Sequence, residues 1–480
     1  MTAFYYLMPE IIIISAACSI LILDLFLKKS YKEISYYLIQ LSLIISIFFI
    51  FKNYNFLIGL TSSLYSTEIF PTVFKVFLLI GILAIFHYSY NFLKHFNLYQ
   101  TEYFIICLFG VLGMMIMSSA QNLLLLYLGI ELLSLSLYTI IAFNKKSIFS
   151  CEAAIKYYIL GAISSGFLLF GISLIYGLTG TLSLVEIYEF INNIQNEKLN
   201  TELYNVGLIF SLTFILVSLA FKFGAAPFHM WVPDVYHGAL IPTTLLLSTL
   251  PKIAIFIVLI KLLVEAFSGL FNFWSEMILV LSVVSILIGN VIAIAQTNIK
   301  RMLAYSTIAN IGFILIGLSL GSKGAYEASM FYTLSYVIMT MAAFGILLLT
   351  TYDKKAIEKI DDLRGLNLQH PWFAFLLMII MLSLAGIPPF IGFHAKLFII
   401  NVLIKANHIN LAIFVVLMTV VGAYYYLRVI KVIYFDDSPG KFFLMPSHVL
   451  ISINVLALLV LGFFPHRLGD LSSYVIQSLF

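Results

Sequence analysis

Long apolar runs separated by short polar stretches set the pattern of this chain. About 20 apolar residues in a helix cross the hydrocarbon layer of a bilayer. Runs of that kind fall at 6–27, 34–52, 70–90, 102–118, 121–143, 152–178, 203–228, 240–263, 273–297, 300–321, 325–350, 371–406, 410–434 and 447–465. The pattern predicts an all-α polytopic membrane protein with about 14 transmembrane helices. The first run has no basic stretch before it and no small-residue cleavage site before Lys28, so it is read as a retained span, not a signal peptide. The polar connections are short, and the longest, near 179–202 with Glu186 and Glu189, is too small to fold as an enzymatic domain.

Two runs contain helix breakers. The seventh ends KFGAAPFHMW over 222–231, with Pro227, and the twelfth carries Pro388 and Pro389 near its middle. Proline removes a backbone donor and clashes with the preceding turn. Inside a bilayer such irregular backbone is tolerated only against protein or a water-filled cavity. Spans four to eight and nine to thirteen make two units of five, each broken in its fourth member. Five is odd, so consecutive units have opposite orientation, which predicts two inverted five-helix repeats with discontinuous helices 7 and 12. Broken helices at matching places in two repeats mark ion paths in transporters. The expected division is a three-helix segment over 1–100, a first repeat over 101–265 broken near Pro227, a second over 270–435 broken near Pro388, and a C-terminal helix over 436–480.

Composition removes the soluble classes. The chain is 62% hydrophobic and 10% charged, whereas soluble domains run near 45–50% and ~25%. A net charge of +4 gives no argument for nucleic acid. The charge distribution is more informative, with fifteen Lys and Arg in or beside the connections after odd-numbered spans and six after even-numbered ones. By the positive-inside rule the first set is cytoplasmic, so both termini are expected on the periplasmic side of a bacterial inner membrane. The three cysteines, Cys18, Cys107 and Cys151, lie far apart in apolar surroundings and suggest neither a disulfide framework nor a metal site.

A few charges stand at membrane depth: Glu131, Lys156, Lys222, Lys252 and Lys396, with Lys75 about one turn inside the third run. A charged side chain at the bilayer centre costs roughly 2.5–3.5 kcal/mol on the mildest scale, and such residues mark polar paths by default. Lys75 is read as snorkelling to the interface, and Asp24 as an interfacial residue. Glu152 and Lys156 have the i,i+4 spacing of an ion pair. One carboxylate cannot neutralise Lys222, Lys252 and Lys396 by contact, and amines that switch between charged and neutral suit a proton relay. His229 and His394 lie beside the breaks, and histidine titrates near pH 6.5. Glu131, Lys222, Lys252 and Lys396 are therefore the principal relay candidates, and Lys156, Glu152, His229 and His394 a second tier.

No dinucleotide fingerprint, phosphate loop or zinc motif is present. No cysteine set could hold an iron–sulfur cluster, and neither His87 with His95 nor His229 with His237 has a matching pair to hold haem. The chain is expected to carry no redox centre, cofactor or metal.

The segments LGIELLSLSLY at 128–138, EAAIKY at 152–157, KFGAAPFHMWVPDVY at 222–236, Pro251-Lys252 and LAGIPPFIGFHAK at 384–396 resemble the subunit N family of proton-translocating NADH-quinone oxidoreductase, one of the antiporter-like membrane subunits of respiratory complex I. The resemblance covers nearly the whole chain. It implies that Glu131 pairs with Lys222, that Lys252 is the central relay lysine, that Lys396 is the exit-side lysine and that Lys156 is a further lysine of the pattern. It implies as partners the antiporter-like subunit M, the small subunit K and the lipid bilayer. NADH, FMN, iron–sulfur clusters and quinone would belong to other subunits. The chain departs at 238–242, GALIP, where the family usually has Pro-Thr before the proline, and Ala395 stands where some relatives have glycine. The competing classes are a free-standing cation/proton antiporter, which shares these repeats, and a purely structural membrane scaffold.

Overall fold

The computed structural model describes residues 7–28, 31–52, 64–197, 201–353, 355–437, 440–445 and 448–479. Lys29, Lys198 and Lys354, counted above among the loop charges, lie outside them. Helices of eight residues or more are α1 Met8–Phe26, α2 Glu33–Lys52, α3 Ile69–His95, α4 Thr101–Ser119, α5 Leu123–Ile141, α6 Ile148–Thr179, α7 Leu184–Glu197, α8 Thr201–Phe223, α9 Trp231–Gly238 and α10 Ile241–Ser248. They continue with α11 Leu250–Ile260, α12 Phe271–Ile294, α13 Ile299–Ser319, α14 Lys323–Leu349, α15 Pro371–Ala385, α16 Ile391–Lys405, α17 Ile409–Phe435, α18 His448–Phe463 and α19 Pro465–Gln477.

Among the described residues, twelve helices are long and apolar enough to cross a membrane, and a thirteenth if Val449–Phe463 and Pro465–Gln477, bent by 85°, count as one span. The run at 371–406 is divided into α15 and α16, each of 15 residues, by a non-helical stretch over 386–390. The protein is thus a mostly helical, multi-pass membrane protein, as the apolar runs predict.

Three local features depart from the sequence reading. The connection at 179–202 holds the amphipathic helix α7, capped at its start by the backbone pairing of Leu184 with Gln121. The eighth run is not one regular helix: it breaks at Thr249 (φ −118°, ψ −91°), continues as α11, and ends in a π turn over Lys261–Ala266. A small antiparallel sheet sits where only loops were expected. Its strands are β1 Thr350–Tyr352, β2 Lys355–Ala356 and β3 Phe442–Leu444 in the order β2-β1-β3, with Thr351 opposite Ala356 and Phe443.

Small residues let the helices approach closely. A Cβ at Gly289 would lie 2.5 Å from the Ala309 amide nitrogen, and one at Gly312 would lie 2.6 Å from Ile286 Cγ1, so α12 and α13 pack nearly backbone to backbone. Without a hydrophobic drive between helices in lipid, such close packing supplies the association. α13, α14 and the α10–α11 run are almost wholly buried, whereas α1, α2, α6 and α17 expose broad apolar faces such as Ile155, Ile159, Ile163 and Phe167 on α6. Of the charges singled out above, Lys75, Lys222, Lys252 and Lys396 are buried inside the protein.

Candidate functional site

Glu131 lies in the middle of α5 and Lys222 in the last turn of α8. Their charges are brought together: Lys222 Nζ is 3.6 Å from Glu131 Oε1, with the lysine side chain 7% exposed and the carboxylate side chain 22%. Two serines complete the cluster. The Lys222 ammonium donates to Ser134 Oγ at 3.0 Å and to Ser165 Oγ at 3.1 Å. Ser165 in turn donates to Glu131 Oε1 through a short hydrogen bond. Ser165 thus links the acid to the base even where their direct contact is long. Sequence reasoning missed both serines; Ser134, one turn after Glu131 on the same helix face, was the available signal.

The first break follows at once. Gly224 adopts φ +88°, and a Cβ there would come within 2.9 Å of Val232 Cγ2 and 3.4 Å of Lys252 Nζ. Only glycine takes this left-handed conformation without a steric cost. Carbonyls at a helix end have no intrahelical partner, and one of these, the Phe223 oxygen, accepts from Lys252 Nζ at 2.7 Å. The same ammonium stands 5.0 Å from the centre of the Trp231 ring, whose Nε1 is anchored on the Phe221 carbonyl at 2.8 Å. Lys252 is 1% exposed and enters from α11, one turn past the kink at Thr249.

The second break uses the same chemistry. Gly386 adopts φ +84°, and Lys396 Nζ donates to the freed carbonyls of Leu384 and Ala385 at 3.0 and 2.9 Å. Its ammonium lies 5.6 Å from the Phe313 ring centre. Among the described residues neither Lys252 nor Lys396 makes an ion pair with a carboxylate; the negative end of a half-helix dipole serves instead. Both breaks contain a cis proline, Ala226-Pro227 and Pro388-Pro389. Pro227, Pro388 and Pro389 are themselves exposed and contribute only to the chain path.

The second-tier residues are not brought to this core. Lys156 is 45% exposed and holds Glu152 at 2.8 Å and Asp234 at 3.0 Å, and Asp234 also binds Arg301 at 2.8 Å. That network lies near the starts of α6 and α13 and on α9, so Lys156 is held by partly exposed ion pairs and is not enclosed as Lys222 is. His229 is buried, its Nδ1 has no hydrogen-bond partner among the described residues, and its ring centre is 6.5 Å from that of Tyr305. His394 is half-buried between Phe393 and Phe398.

One reading is corrected. Lys75 does not snorkel: it is 5% exposed and ion-paired with Glu10 at 2.7 Å. Asp24, in the last turn of α1, is buried beneath Lys32 at 2.7 Å and the hydroxyls of Ser35 and Thr101 at 2.9 Å. That hydrogen bond holds the Lys32 ammonium above the ordinary lysine pKa. The sequence also passed over Lys261 and Lys300, which looked like span-end charges. Both are buried, Lys261 on the carbonyls of Ser118 and Ala120, and Lys300 on those of His237 and Ala239.

Comparison with known proteins places this geometry. Residues 120–422 match the family described as NADH:quinone oxidoreductase/Mrp antiporter, transmembrane. NADH-quinone oxidoreductase subunit N of Ruthia magnifica subsp. Calyptogena magnifica is 44% identical over 462 residues, covering 95% of this chain and 95% of that protein. The subunit N of Thioalkalivibrio sulfidiphilus is 44% identical over 481 residues, covering 99% and 98%. A chain of respiratory complex I from Thermus thermophilus, solved with bound aureothin, superposes with a TM-score of 0.78 at 27% identity over 96% of this chain and 98% of its own. A chain of the Mrp complex from Dietzia sp. DQ12-45-1b shares the fold, with a TM-score of 0.83 at 17% identity over 100% and 97%. With the acid–lysine pair and the two lysine-bound helix breaks, these relatives show that the chain belongs to the NADH-quinone oxidoreductase subunit N family of antiporter-like membrane proteins.

Proposed function

We propose that this chain is the antiporter-like subunit N of a proton-translocating NADH-quinone oxidoreductase, in which Glu131, Lys222, Lys252 and Lys396 relay protons across a bacterial inner membrane. It is one subunit of an enzyme complex, and the redox groups (NADH, FMN, iron–sulfur clusters and quinone) reside on other subunits. Its neighbours are the antiporter-like subunit M and the small subunit K. The two five-helix units lie in opposite orientations with both termini periplasmic, in keeping with the basic residues clustered on one face. The free-standing antiporter is disfavoured, because full-length relatives at 44% identity carry the subunit N name.

The observation that carries the relay is the Glu131–Ser165–Lys222 cluster beside Lys252, which among the described residues is held by a carbonyl and an aromatic face. Two unit charges 3.6 Å apart attract by roughly 5 kcal/mol at an effective dielectric near 20. Drawing them apart to ~7 Å halves that, a loss of roughly 2 kcal/mol. Each ~1.4 kcal/mol is one pKa unit, so separation alone pushes the proton off Lys222 towards the next buried amine. Moving one charge against ~100 mV requires about 2.3 kcal/mol, so the gate and the load are of one size. Redox chemistry elsewhere in the complex supplies the motion that separates the pair. The proton then passes by way of water to Lys252 and on to Lys396.

Proton uptake by inverted membrane vesicles, normalised to NADH oxidised, tests this. Glu131→Ala and Lys222→Ala each abolish or strongly cut this chain's share of the uptake, while native gels still show an assembled complex. Wild-type uptake in both rejects the relay.

A further inference from the structure

A second group of buried charges lies away from this relay, at the opposite ends of the helices from Lys156, Asp234 and Arg301. Lys261 opens the π turn that ends the run carrying Lys252 and is 1% exposed. Its ammonium donates to the carbonyls of Ala120 at 2.7 Å and Ser118 at 3.3 Å. Glu265 stands four residues on, in the same π turn, and lines a cavity of about 530 Å³ with Tyr188, Ser268, Trp274 and Tyr326. The charges of Glu265, Glu68 and Lys75 all act on Lys261. Lys75 is paired with Glu10 at 2.7 Å, and Tyr65 joins the two, donating to Glu10 Oε1 at 2.6 Å and accepting from Lys75 at 2.5 Å. Glu10 is 5% exposed, and its second oxygen, Oε2, accepts no hydrogen bond among the described residues. The amphipathic helix α7, which packs on the π turn, brings Glu186 and Glu189 to the same end.

A lysine that merely caps a helix needs its two carbonyls and nothing more. Here a carboxylate stands one turn away on the wall of a cavity, and a second buried ion pair lies close by. π turns are rare and recur at functional sites. Lys252 and Lys261 are nine residues apart, so their Cα atoms differ by roughly 14 Å along the axis, about half the ~30 Å hydrocarbon thickness. The run that holds Lys252 at its buried start therefore ends at the membrane face with a titratable pair and a space for water.

We propose that Lys261 and Glu265 form a proton-release site that opens the buried relay to the aqueous phase on the face opposite the Lys156–Asp234–Arg301 network. A proton arriving at the Glu265 carboxylate forms the neutral acid, and that acid loses it to water in the cavity as hydronium. Lys261 remains an ammonium throughout, so charge and protons balance. Its positive charge, one turn from the Glu265 carboxylate, repels the arriving proton and so drives it outward, while the Glu68 carboxylate opposes that bias. Lys261 is a positioning residue that acts through Glu265. The proposal rests on the relay reading above, which supplies the proton, and the site receives it after Lys396, the last lysine of that relay.

Inverted vesicles carrying the assembled complex expose this face to the lumen, where pH can be set. Glu265→Gln is expected to reduce protons taken up per NADH to the level of Lys252→Met. Glu265→Asp is expected to restore the ratio with a displaced dependence on lumenal pH, and Lys261→Met to make uptake fail at a higher lumenal pH than in the wild type. If Glu265→Gln pumps normally while Lys252→Met does not, the site is structural and the relay stands. If both pump normally, the relay reading itself fails. Should Glu265→Gln not assemble, Glu265→Asp decides: an unchanged lumenal pH profile overturns the proposal.

Discussion

The two helix breaks solve one problem with different equipment. At each, a glycine in the left-handed region frees carbonyls at the end of a half-helix, and a buried lysine binds them. At the first break the lysine, Lys252, comes from a neighbouring run, and a second lysine, Lys222, stands in the last turn before the break with a carboxylate partner. At the second, the single lysine, Lys396, comes from the later half of its own broken helix. The groups beyond its ammonium are an aromatic ring, hydroxyls and an amide. Phe313, beneath the Lys396 ammonium, stacks on Tyr332, whose hydroxyl donates to Asn310 Oδ1 at 2.6 Å. Asn310 donates to Ser306, which is hydrogen-bonded to Tyr426. An acid–base pair can be drawn apart and so can switch. In the proposed relay, a lone ammonium held by fixed carbonyls has no counter-charge to lose and would serve as a landing point. On that reading the drive enters at the first break and the second receives.

The sharpest way to break that comparison is to remove each landing lysine. Lys252→Met and Lys396→Met both delete the charge while keeping most of the volume, and both should abolish this chain's share of vesicle proton uptake if the breaks act in series. Normal uptake in Lys396→Met alone would leave the second break outside the path. A smaller effect is expected from the backbone. Gly386→Ala forces a left-handed alanine and sets its Cβ 2.8 Å from Lys396 Cδ. The conformation alone costs ~1–2 kcal/mol, so the variant complex should melt earlier and pump less. An equal loss from Gly224→Ala would show that the two glycines do the same work. The smallest effect belongs to Lys156→Gln. Its ion pairs are exposed and worth ~0.2–1 kcal/mol each, so uptake should change little. A loss as large as that of Lys222→Ala would place Lys156 in the relay after all.

Much of this was legible from the chain alone, for one reason: charge and irregular backbone are expensive in a bilayer, so they stand out where they fall in the middle of an apolar run. The apolar runs, Glu131, Lys222, Lys252 and Lys396, and the breaks at Pro227 and Pro388 all follow from that cost. Burial between distant segments was not legible. Lys75 looked free to snorkel, but Glu10, 65 residues earlier, neutralises it. Lys261 looked like a span end, but it is held by carbonyls more than 140 residues away. Ser165 had no mark beyond its hydroxyl until α5, α6 and α8 came together around it.

The linear order of residues therefore determined that this protein spans a membrane, that its helices break near Pro227 and Pro388, and that Lys222, Lys252 and Lys396 are trapped inside, since each is a cost paid locally against lipid. Which group holds each trapped charge was decided only by the folded arrangement. The carbonyls that receive Lys252, Lys396 and Lys261 belong to the backbone, carry no side-chain signature, and become available only where a helix stops against another one.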